Sequence, residues 1–187
     1  MIQRVLFAKE KLKSVKVLDA DGFKKFATGD ETWLYFDNDQ DAQWIKRREP
    51  RPERYRKLIG APQVMLTVFF SGERILSAHQ LPQKSNMNAE VFINDILIPL
   101  ETKKNSIFNR IKHPPYSPDL SPCDYYLFGV LKSKLKGMHF TSADEGHEVA
   151  INILESIPSI QLLNALSAWA TRLDYIIEHK GQNYNRK

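Results

Sequence analysis

Two periods of apolar residues divide this chain. The first half carries short apolar or alternating runs; the second half carries apolar stripes at helical spacing. Glu31-Thr32-Trp33-Leu34-Tyr35-Phe36 is rich in aromatic and β-branched residues and predicts a strand, closed by Asp37-Asn38-Asp39. Ala42-Gln43-Trp44-Ile45 reads as a short partner strand. Val64-Met65-Leu66-Thr67-Val68-Phe69-Phe70 is nearly continuous in apolar residues, the pattern of a strand buried on both faces. A Ser71-Gly72-Glu73 turn follows, and Arg74–His79 reads as an antiparallel return strand.

The helices follow from caps and stripes. Residues 1–26 are basic and weakly helical, with Lys9, Lys11, Lys13 and Lys16 outward. Asn88 caps a helix to about Leu100, striped by Phe92, Ile93, Ile96, Leu97 and Leu100. A helix over Pro122–Lys136 carries Leu127, Leu131 and Leu135, with Gly137 as its stop. Ser142 and Glu145 form a capping box for a helix that ends before Pro158. The last helix is striped by Leu162, Leu166, Trp169, Leu173 and Ile176. Strands first and helices later, around a mostly buried sheet, predict an α/β or α+β domain.

Composition narrows this picture. At 187 residues the chain suits one sizeable domain. A single cysteine, Cys123, excludes an internal disulfide framework and a cysteine-based zinc site. The N-terminus meets charge too early for a secretory signal, and no apolar run reaches the ~20 residues of a membrane span. The net charge of +5 is concentrated: Lys46, Arg47, Arg48, Arg51, Arg54, Arg56 and Lys57 stand against Glu49 and Glu53, so the rest of the chain is neutral. That segment predicts contact with a phosphate backbone; a solvated basic loop is the alternative. The five histidines lack zinc-type spacing, and Trp33, Trp44, Trp169, Tyr125 and Phe128 read as core or interface residues.

The candidate chemistry lies in the run His113-Pro114-Pro115-Tyr116-Ser117-Pro118-Asp119-Leu120-Ser121-Pro122-Cys123-Asp124. Its prolines make a stiff connector that ends at a helix start, with Ser121 as N-cap and Asp124 in the first turn. Asp30 stands at the start of the first strand. Carboxylates from two distant elements can converge on divalent metal, and paired metals clamp the attacking and leaving oxygens of a phosphodiester. Taken alone, Asp124 equally fits a helix cap and Asp30 a turn.

Thr28-Gly29-Asp30-Glu31-Thr32-Trp33 and the run from His113 to Phe128 resemble the two flanking signatures of mariner-type transposases. Phe69-Phe70-Ser71-Gly72 and Leu135-Lys136-Gly137-Met138-His139-Phe140 resemble the same family's intervening and following text. The resemblance implies an α/β, ribonuclease H-like domain, a mixed sheet flanked by helices, over residues 27–187, with 1–26 as a remnant linker or helix. It also implies metal-dependent DNA cleavage and strand transfer with Mg²⁺ or Mn²⁺. Asp30 falls on the family's first catalytic and metal-binding aspartate and Asp124 on its third. Segment 46–57 falls where a loop extends toward DNA and a partner subunit, so DNA and a second copy of the chain are the implied partners. Nuclear residence is implied as well; neither a membrane nor a small-molecule substrate is.

The departures from the family pattern shape the expected function. The second aspartate, carried by a central strand, has no match, and Glu101 is the only acid between Leu97 and Pro118. One central strand and its following helix are expected to be lost near 101–112, with Ile107–Ile111 either pairing with the first strand or leaving a gap. Asp95, Glu101 and Asp119 are poor substitutes, Asp119 reading as a turn cap. The family's N-terminal DNA-reading region has no counterpart in residues 1–26. The expectation is a truncated transposase without catalytic activity and with impaired metal binding. The alternative is a transposase-derived module that binds nucleic acid or protein.

Overall fold

The computed structural model describes residues 1–38, 62–82, 87–104 and 113–184. The expected strand at Ala42–Ile45, the basic residues Lys46 to Lys57 and the piece Ile107–Ile111 lie outside the described residues.

Helix α1 (Ile2–Ala20) leads into strands β1 (Thr28–Tyr35), β2 (Gln63–Phe70) and β3 (Ile75–Gln80). Helix α2 comprises Ala89–Val91, a π turn over Phe92–Leu97, and Ile98–Lys104. A 3₁₀ turn (Pro118–Leu120) precedes α3, which opens with a π turn over Cys123–Leu127 and continues as Phe128–Leu135. Helices α4 (Ala143–Glu155) and α5 (Ser159–Glu178) complete the order.

The sheet runs β1-β2-β3, antiparallel throughout. Strand β2 is central, and its apolar run buries Val64, Leu66, Val68 and Phe70, as its pattern predicts. The expected mixed sheet needs a parallel strand on the free side of β1. Among the described residues β1 has no such neighbour and forms the edge. The return strand has a bulge at Phe69/Phe70, and Ser71 holds the turn: its amide donates to the Arg74 carbonyl at 3.0 Å.

The caps act where the sequence places them. The Asn88 side chain accepts from the Val91 amide at 2.9 Å, and Ser142 accepts from the Glu145 amide at 3.1 Å. Gly137 ends α3 with a φ of 78°, a conformation that costs glycine little. Leu162, Leu166, Trp169, Leu173 and Ile176 of α5 are buried and form one core with β2 and α3. Trp33, by contrast, points outward from β1 at 42% exposure.

The N-terminal segment is a continuous helix packed against α5. Lys16 pairs with Asp174 at 3.3 Å, and the Ser167 hydroxyl donates to Asp19. The first turn of α1 meets the chain just beyond α5, so the two helices run antiparallel. There the Arg4 guanidinium is buried: it donates to the Gly181 carbonyl at 3.1 Å, to Ser117 Oγ at 2.7 Å, and to both Asp119 carboxylate oxygens at 2.9 and 2.6 Å. The Tyr184 amide donates to the same carboxylate at 2.8 Å, and Arg172 donates to the Asp119 carbonyl at 2.8 Å. Asp119, expected to cap a turn, instead ties the proline-rich connector to both ends of the helical layer.

Candidate active site

The clamp on Asp119 fixes the connector five residues before Asp124. Strand β1 fixes Asp30, whose register partner on β2 is Val68. At Gly29 the Phe69 ring lies where a Cβ would stand, 2.4 Å from its nearest carbon, so only glycine leaves room for that ring.

Ser121 joins the two elements. Its hydroxyl donates to Asp30 Oδ2 at 3.2 Å and accepts from the Asp124 amide at 3.4 Å, the long end of N-cap geometry. Asp30 Oδ1 accepts from the Glu31 amide at 2.9 Å. The Asp30 and Asp124 carboxyls are close electrostatic neighbours. Partial desolvation and then the Asp30 charge raise the Asp124 carboxyl above its ordinary range; the Ser121 hydroxyl and His113 pull the other way. Two residues 94 positions apart therefore converge, as the sequence predicts.

Glu31 was not visible as a site residue. Alternation along a strand sends neighbouring side chains to opposite faces. Its carboxyl is nevertheless raised, by burial first and then by the Asp30 charge, so the two neighbours act on one another near the strand start. Beneath the pair lies the Cys123 thiol, pushed well up by burial and then by the Asp30 and Asp124 charges. His113 lines the same cleft as Asp30, its ring 6.2 Å from that of Phe7. Glu101 also lines that cleft, whereas Asp119 is committed to Arg4. Among the described residues, no three His, Cys, Asp or Glu groups are arranged to hold one ion.

No protein-family model matches the chain. The catalytic domain of Mos1 mariner transposase superimposes with a TM-score of 0.72 at 18% identity, covering 99% of this chain and 95% of that one. The fold is that of a mariner-type transposase catalytic domain. This mariner-type fold also matches the Mos1 paired-end complex with left transposon end, with a TM-score of 0.83 at 19% identity over 99% of this chain and 63% of that one. Other Mos1 paired-end complexes of the same fold contain Mn or Mg. The human protein named histone-lysine N-methyltransferase SETMAR is 27% identical over 166 positions, which take in 71% of this chain and 24% of that protein. This chain thus spans less than two thirds of the longer Mos1 chains and about a quarter of SETMAR. Its 71% share of 187 residues is shorter than the 166 positions compared, so it is gapped against the human protein.

Proposed function

We propose that this chain is a shortened mariner-type transposase domain that keeps contact with DNA and an impaired divalent-metal site, and that does not cleave or transfer strands. The observation that carries the reading is the convergence of Asp30 and Asp124 through Ser121. Two neighbouring hard oxygen donors suit Mg²⁺ or Mn²⁺, and the upward shift of Asp124, from burial first and the Asp30 charge second, is one that a bound cation would oppose. Asp30 and Asp124 are the residues that would hold such an ion, which when bound polarises phosphate oxygens. What the chain's own residues do is position: Ser121 holds the Asp30 carboxyl and caps the turn that carries Asp124, and the Arg4–Asp119 clamp holds the connector before it.

The paired-metal clamp needs further ligands, and small errors of placement are costly in catalysis. The match to the human relative is gapped, which supports a lost segment; the sequence pattern puts it near 101–112, where the family's second aspartate has no counterpart. DNA is the partner that the Mos1 complexes support, and nuclear residence and self-association belong to the same reading. A plasmid-nicking assay with Mg²⁺ or Mn²⁺ tests it. The expected result is no metal-dependent nicking above background; nicking abolished by Asp124→Ala overturns the inactivity.

A further inference from the structure

A cleft of about 1480 Å³ opens beside Asp30, between α1, the start of β1, the β2–β3 turn and α2. Its wall carries Lys13 from α1, Lys24 and Lys25 from the connection into β1, and Arg74 from the β2–β3 turn. All four are exposed, and none forms an ion pair among the described residues. Of the other cations on α1, Arg4 pairs with Asp119, Lys11 with Glu10 and Lys16 with Asp174, while Lys9 forms no ion pair among the described residues. Glu73 and Glu101 share the wall, so the charge is mixed at the mouth and not uniformly basic.

The floor is aromatic. Phe69 and Phe92 stand with ring centroids 6.4 Å apart, both half-buried. Phe26 and Trp169 form a second pair at 5.5 Å. Trp169 is 3% exposed, and its indole N–H has no hydrogen-bond partner among the described residues. A cleft that combines half-buried rings with four exposed cations matches single-stranded nucleic acid, whose bases stack while its phosphates meet Lys and Arg. A paired duplex has no free base face for such a floor.

We propose that this cleft binds a single strand of nucleic acid, with Lys13, Lys24, Lys25 and Arg74 on the phosphates and Phe69 and Phe92 against the bases. The inference rests on the carboxylate-pair reading only in placing Asp30 at the end of the track.

The test is binding of a labelled oligothymidylate to the full chain in chelator, followed by fluorescence anisotropy across a salt series. The quadruple variant Lys13→Gln, Lys24→Gln, Lys25→Gln, Arg74→Gln is expected to reduce the slope of log K against log salt by about 3, at about 0.7 per phosphate. Phe92→Leu is expected to weaken binding about tenfold, within the range for loss of one stacked base. An unlabelled single strand should compete better than a duplex of equal length. Lys132→Gln with Lys136→Gln, outside the cleft, should leave the slope unchanged. No binding by the wild type, an unchanged slope in the quadruple variant, an equal loss in the Lys132/Lys136 variant, no effect of Phe92→Leu, or stronger competition by duplex each overturns the proposal. Because metal is absent, these failures leave the Asp30–Asp124 pair untouched; that pair is read separately by Mn²⁺ binding.

Discussion

Arg4 and Asp119, 115 residues apart in sequence, meet as a two-pronged ion pair at 2.9 and 2.6 Å, with both side chains nearly excluded from solvent. The planar guanidinium matches both carboxylate oxygens, and Ser117 and Gly181 take two more of its five donors. The pair locks α1, the connector and the chain beyond α5 around one point. Removing one partner leaves a buried charge uncompensated. Arg4→Ala is therefore expected to cost about 3 kcal/mol in urea unfolding. A cost under about 0.5 kcal/mol, typical of exposed sites, would show that the pair holds nothing together.

The pH dependence follows from two opposite shifts. For Asp119, burial alone would raise the carboxyl. The Arg4 hydrogen bond, the Tyr184 amide and the Arg4 charge outweigh that effect and hold it below its ordinary range. The stability it contributes is fully present above about pH 4, the ordinary carboxylate value, and is lost as pH falls through its lower folded value. For Asp124 the folded value is raised, so ionisation costs stability as pH rises above the ordinary value. In chelator, Asp124→Asn should gain on the wild type between about pH 4 and 7, by no more than about 1 kcal/mol for a partly solvated group. Unfolding curves at each pH check both signs; a variant that loses ground as pH rises contradicts the second.

Ser121 has two roles, cap and bridge. Ser121→Ala should cost about 1 kcal/mol, the usual price of an N-cap, in thermal or urea unfolding. It should also weaken Mn²⁺ binding, because the Asp30 carboxyl loses its donor and the turn that carries Asp124 loses its cap. Loss of stability with unchanged Mn²⁺ affinity would leave the bridge without a role in the site.

Much of this fold was legible because its determinants are local. The apolar run of β2, the Asn88 and Ser142 caps and the stripe of α5 each announce themselves within a few residues. Asp30 and Asp124 were legible through the motifs around them. The Arg4–Asp119 clamp was not: an aspartate in a proline-rich connector reads as a turn residue, and nothing near Arg4 in sequence names its partner. Glu31 was hidden by the alternation rule, which fails to describe a long side chain near a strand start. The π turns in α2 and α3 leave the apolar periodicity nearly unchanged and so give little sequence signal.

Gly29 shows how tightly the strand pair is built. A methyl group there would collide with the Phe69 ring, which covers the glycine from the neighbouring strand. Gly29→Ala should cost about 1–3 kcal/mol, the usual range for overpacking. Urea unfolding measures it; a neutral result would mean that the ring swings away freely.

The account rests most heavily on Asp30 and Asp124 as a retained pair of metal-holding carboxylates. Electron paramagnetic resonance of Mn²⁺ titrated with the wild type, Asp30→Asn and Asp124→Asn tests this most directly. The prediction is weak, saturable binding by the wild type that is lost in both variants. No saturable binding by the wild type, or undiminished binding by either variant, would contradict it.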